Sequence, residues 1–178
     1  MNLLAEVVSV LRREKIDHAL IGAVAMAVHG VSRATADVDL LTVDARVLEA
    51  ALWDSLRAEG VNLRVLKGDF DDPLAGSVRL TAEPARIVDV VVGRYKWQKE
   101  VLDSAETRSL GEIEVPVARP AGLVLLKLHA GGPKDAWDIS SLAETHEEWA
   151  SIKSEVEETV GRLSAESRRL WKRFRDET

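Results

Sequence analysis

Every run of this chain that reads as a strand lies before Arg119, and only helix-like segments follow it. That order predicts a small mixed β-sheet covered by helices, an α/β (α+β) architecture, followed by a helical C-terminal tail. The strand-like runs cover 19–21, 37–43, 61–66, 77–81, 86–93 and 112–118, all rich in Val, Leu, Ile or Thr. Leu3, Leu4, Val7, Val8 and Leu11 recur at helical spacing and predict a first helix to about Lys15. A short apolar helix is expected after Gly22, with Gly30 able to terminate it. A surface helix over 45–59 follows from Val47, Leu48, Ala51, Leu52 and Leu56, with Gly60 as its stop. The segment GDFDDPLAG, 68–76, reads as a turn-rich loop.

After Arg119, Pro120 suits the first turn of a helix through Ala130, closed by Gly131 and Gly132. Pro133 starts another to about Glu144, and a third helical segment runs from about His146 to the end with a break near Gly161. These signals divide the chain into a core, 1–118, and a helical C-terminal region, 119–178, packed on it.

Composition narrows the chemistry. The 178 residues include no cysteine, which excludes disulfides, thiolate metal sites and cysteine nucleophiles, and suits a reducing compartment. A net charge of −6 removes a protein-wide cationic surface while allowing a local basic patch. The N-terminus lacks a secretory pattern, and the longest apolar run, 19–31, is too short to cross a bilayer. A cytoplasmic protein without a membrane partner is therefore expected. Aromatics are 4% of the chain, so Val, Leu, Ile and Ala must form most of the core, with Trp97, Trp137, Trp149 and Trp171 read as packing residues.

Three aspartates stand where a core strand should be apolar. Asp37 and Asp39 are two apart in DVDLL, so on a strand they share one face. Carboxylates that close repel unless a cation lies between them, and an all-oxygen donor set suits a hard ion such as Mg²⁺. A solvated strand end or a helix cap explains the pair equally. Asp89 is the sole charged side chain in IVDVVVG, 87–93, which is costly in a buried strand unless it binds metal or a cation. The alternative is an edge strand wetted on the Asp89 face, or pairing with Arg79 or Arg86. Together, two carboxylates on one strand and one on a neighbour make the ligand set of a two-metal phosphoryl-transfer site. Gly22 and Ala23 follow a strand and open a short helix, where backbone N–H groups can face a phosphate or the helix can pack tightly.

Other patterns fail. Asp69, Asp71 and Asp72 lack the glycine and distal glutamate of a calcium loop, and Pro73 breaks it. Gly131-Gly132-Pro133-Lys134 lacks the P-loop frame. His18, His29, His129 and His146 show no ligand spacing. RRLWKRFR, 168–175, could contact phosphates and stack bases, or could complement a helix C-terminus and pack through Leu170, Trp171 and Phe174.

GAVAMAVHG, then Arg33-Ala34-Thr35, then DVDLL, with the later Asp89 and LLKLHAGGPKDAWDI, resembles the nucleotidyltransferases of the DNA polymerase β superfamily, in particular the minimal AbiEii-type toxin family. The likeness covers about 17–142. It implies nucleoside monophosphate transfer from an NTP to an acceptor hydroxyl, with pyrophosphate leaving. Asp37, Asp39 and Asp89 would be the catalytic residues and hold two Mg²⁺ ions. Gly22, Ala23, Arg33, Lys127 and Lys134 would serve the triphosphate, and Asp135 and Asp138 complete the family's downstream motif. It further implies an RNA acceptor, tRNA-like, and a cognate antitoxin protein as partner. The same motif set also serves transfer to a small antibiotic-type molecule, or a nucleotide-binding module without catalysis.

Overall fold

A computed structural model describes residues 2–69, 72–84 and 87–177. Asp71 and Arg86, weighed above as parts of a loop and an ion pair, lie outside the described residues. Seven strands form one mixed sheet: β1 (Ala19–Ile21), β2 (Asp37–Thr42), β3 (Asn62–Lys67), β4 (Leu74–Thr81), β5 (Ile87–Gly93), β6 (Glu106–Leu110) and β7 (Ile113–Val117), in the order β3-β4-β5-β2-β1-β7-β6. β2 runs parallel to β5 and β1 parallel to β7, while the other pairs are antiparallel. The mixed α/β architecture expected from the order of signals is present.

The helices are α1 (Leu3–Arg13), α2 (Gly22–Val28), α3 (Asp54–Ala58), α4 (Lys96–Asp103), α5 (Pro120–Ala130), α6 (Pro133–Thr145), α7 (Trp149–Val160) and α8 (Ala165–Glu177). α1 starts where the Asn2 side chain accepts from the Ala5 N–H, and it buries Leu3, Leu4, Val7, Val8 and Leu11. Its apolar stripe packs on β5, against the face of the sheet that carries Val38, Leu40, Val78, Leu80, Val88 and Val90, all 2% exposed or less. α5 has Pro120 in its first turn and ends at Gly131, whose φ of 70° is left-handed.

The structure differs from the sequence reading at three places. The single helix expected over 45–59 is instead two 3₁₀ turns, Ala45–Leu48 and Ala50–Trp53, followed by α3. Glu49 between them is extended, and the chain folds so that Trp53 is fully buried with its Nε1 donating to the Val47 carbonyl at 2.8 Å. The strand β6 is almost wholly exposed, so its polar sequence carries no apolar alternation. Trp137, expected to pack, is 51% exposed on α6.

Candidate functional site

The sheet register builds the site. β2 and β5 align Asp39 with Asp89, β5 and β4 align Asp89 with Arg79, and β4 and β3 align Arg79 with Arg64. One row across four strands therefore reads Asp39, Asp89, Arg79, Arg64, all on one face. Asp37, two residues before Asp39, shares that face. A cavity of about 320 Å³ is lined by Asp39, Asp89, Arg79 and Arg64 together with Leu66 and Ser77.

Asp89 lies on a central strand, so the edge-strand alternative does not apply. It is 9% exposed, and Arg79 binds it bidentately, Nε to Oδ1 at 2.8 Å and Nη2 to Oδ2 at 2.6 Å. The same Nη2 reaches Asp37 Oδ2 at 3.4 Å. These contacts hold the guanidinium firmly protonated, first through the hydrogen bonds to Asp89 and then through its charge. Asp39 is treated differently. Burial, and then the charges of Asp89 and Asp37, push its carboxyl from 3.8 up to about 6, against a weaker pull from Lys127 and Arg33.

Gly22 closes the site from the β1 side. Its φ is +68°, and a Cβ built there would lie 2.1 Å from Asp39 Oδ2. Only glycine allows the Asp39 carboxylate to lie against the first turn of α2. Ala23 follows it, 2% exposed.

The remaining sequence candidates form a second cluster. Lys127 on α5 donates to Asp135 Oδ1 at 2.8 Å and pairs with Asp138 Oδ2 at 2.6 Å. Arg33 Nε donates to Asp138 Oδ1 at 3.0 Å, and the Asp138 side chain is 0% exposed. Burial disfavours the Lys127 charge, but hydrogen bonds to Asp135 and Asp138 outweigh it and raise the ammonium above its ordinary value. Asp135 also accepts from the Gly132 N–H at 3.1 Å, which fixes the start of α6. The network ties α5, α6 and the segment before β2 together beside the carboxylate face. Lys134 is exposed and has no ion-pair partner among the described residues.

Among the described residues no three acidic or imidazole side chains already stand in cation-holding geometry, and Arg79 is bound to two of the acids. The donor set still fits a hard divalent ion. It consists of three carboxylates on one face, one of them destabilised as an anion by burial and then by the charges of the other two. Sequence reasoning missed Arg64. Its residue type carries no signal, and only the four-strand register brings it into the row.

A mixed sheet with α2 rising directly from the strand beside an aspartate row defines a nucleotidyltransferase fold. The chain belongs to the family described as nucleotidyl transferases of unknown function (DUF2204), whose model matches residues 1–175. Among solved structures it is similar to the antibiotic-resistance factor ANT(2'')-Ia in complex with adenylyl-2''-tobramycin, with TM-score 0.57, 10% identity and coverage of 90% of this chain and 96% of that one. The solution structure of the same factor gives 0.55, 11%, 90% and 90% in the same measures. A nucleotidyltransferase-type protein of Thermotoga maritima gives 0.53, 17%, 84% and 91%. No curated protein sequence matches the chain. Membership of this family makes the chain a nucleotidyltransferase, a class that implies an NTP substrate.

Proposed function

We propose that this enzyme moves a nucleoside monophosphate from an NTP to an acceptor hydroxyl at the face carrying Asp37, Asp39 and Asp89. The observation that carries it is the shared face of the three carboxylates, with Asp39 raised to about 6 by burial first and then by the charges of Asp89 and Asp37. Mg²⁺ bound by these three residues would neutralise the triphosphate and polarise the phosphorus under attack. Asp89 lines the same cavity as Asp39, and in this reading it completes the metal site or takes the acceptor proton. Gly22 and Ala23 bring backbone close to the acids from the other side, where the triphosphate would lie. Exposed Lys134 can move to meet phosphate, whereas Lys127 and Arg33 hold the local frame through Asp138.

The acceptor reading is RNA, in the manner of an AbiEii-type toxin countered by a partner protein. Charge supports it: Arg64 and Arg79 flank the cavity, and Arg168, Arg169, Lys172 and Arg173 are exposed on α8. A polycationic aminoglycoside finds less to attract it on the arginine side, although the likeness in fold to ANT(2'')-Ia keeps small-molecule transfer as the second reading. The experiment is incubation with each α-labelled NTP, Mg²⁺ and either total RNA or an aminoglycoside panel. Label should enter RNA with the parent and not with Asp39→Asn. Label in an antibiotic alone replaces the acceptor, and no difference between parent and Asp39→Asn overturns the site.

A further inference from the structure

We propose that Arg79 is a resident counter-ion that competes with the divalent cation for Asp89 and Asp37, and so sets how tightly the enzyme binds that cation. The inference rests on the reading of Asp37, Asp39 and Asp89 as the cation's ligands.

The competition is geometric. Both carboxylate oxygens of Asp89 face the guanidinium, at 2.8 Å and 2.6 Å, and Asp37 Oδ2 lies 3.4 Å from the same Nη2. A hard cation draws on oxygens of the same two acids, and a guanidinium at contact distance from them repels it and occupies lone pairs it would use. Full engagement of Asp89 and Asp37 by the cation is therefore favoured by Arg79 swinging away. The side chain is free to do so, being 47% exposed and bordered by the cavity of about 320 Å³.

Arg64 decides how readily it swings. It is the register partner of Arg79 on β3, on the same face, and it has no ion-pair partner among the described residues. Like charges directly opposite across an antiparallel pair repel. Arg64 thus disfavours movement of the Arg79 guanidinium towards β3 and favours its pairing with Asp89. The arginine pair raises the cation concentration at which the enzyme loads.

The test is calorimetric titration of the full chain with Mn²⁺ alone, without nucleotide. The parent should bind weakly and Asp89→Asn more weakly still. Arg79→Gln should tighten binding about tenfold, the loss of one close competing charge. Arg64→Glu leaves all three acids untouched and gives Arg79 a carboxylate directly opposite, so it should tighten binding about threefold even if Arg79→Gln fails to fold. In the Arg79→Gln background, Arg64→Glu should add nothing, which separates release of Arg79 from a general gain of negative charge. Equal affinities in parent, Arg79→Gln and Arg64→Glu, all abolished by Asp89→Asn, overturn the inference while leaving the carboxylates as ligands. An equal gain from Arg64→Glu in both backgrounds also overturns it. Absence of Mn²⁺ binding in every variant overturns both it and the ligand assignment.

Discussion

Asp39 and Asp89 stand opposite one another on the parallel strands β2 and β5, yet Arg79 is hydrogen-bonded only to Asp89 of the two. One acid of the facing pair is neutralised by contact, and the other carries the electrostatic cost. Burial comes first, and the charges of Asp89 and Asp37 add to it, so the Asp39 carboxyl titrates at about 6 instead of 3.8. The folded protein keeps this proton at pH values where the unfolded chain has lost it. The group therefore adds no penalty below about pH 4, and stability falls as pH rises towards 6 and above, by at most about 3 kcal/mol. Melting temperature against pH should show this slope in the parent and lose it in Asp39→Asn. A divalent ion should flatten it in the parent, because a bound cation favours the Asp39 anion and so opposes the shift.

Gly22 governs the same carboxylate from the other side. Gly22→Ala places a methyl carbon where Asp39 Oδ2 now lies, at a φ of +68° that alanine adopts at a cost of about 1 kcal/mol. The helix α2 should survive, while Asp39 is pushed out of the row. The expected result is a loss of kcat of about a hundredfold, since sub-ångström placement of reacting groups matters that much. Circular dichroism should show the fold retained, and Mn²⁺ titration should show weakened binding.

How much of this was legible in the sequence follows from range. Asp37 and Asp39 announce a shared face because strand alternation is local, and Asp89 announces itself as one charge among apolar neighbours. Pro120, Gly131 and Pro133 mark helix ends through their own backbone chemistry, and the breaks fall there. The Arg79–Asp89 pair is a long-range outcome: the sequence offers Arg79 as one candidate partner, and the antiparallel register of β4 and β5 is what sets it beside Asp89. The mutual contacts of Lys127, Asp135 and Asp138 were hidden for the same reason: a lysine and two aspartates on successive helices give no local sign that they pair with one another. Trp53 broke the helix expected over 45–59 because its burial beneath Val47 outweighs local helical spacing.

Lys127 separates a structural role from a nucleotide contact. Removal of its ammonium leaves Asp138, whose side chain is 0% exposed, with Arg33 as its remaining ionic partner. Lys127→Met should cost about 2–4 kcal/mol, and Lys127→Met with Asp138→Leu should recover most of that, as apolar replacement of a buried pair generally does. Denaturant titration of the two variants measures it. An unchanged stability with a raised KM for NTP would instead place Lys127 on the triphosphate.

The basic helix α8 divides by face, and the two faces predict opposite results. Trp171 is 2% exposed, lies edge-on to Trp149 at 6.1 Å and donates its Nε1 hydrogen bond to Glu157 at 2.6 Å. Trp171→Ala should cost about 3–5 kcal/mol through lost packing, read by denaturant titration. Arg169 and Arg173 are exposed and line a cavity of about 370 Å³ between the end of α5 and α8. Arg169→Ala with Arg173→Ala should change stability by less than about 0.5 kcal/mol for each substitution. If RNA docks along this face, the pair should raise KM for RNA several-fold while leaving KM for NTP unchanged. Because each phosphate contact to a single strand contributes about −0.7 to the dependence of log affinity on log salt, loss of two contacts should flatten that slope by about 1.4. An unchanged slope would place the acceptor elsewhere and leave α8 with its packing role alone.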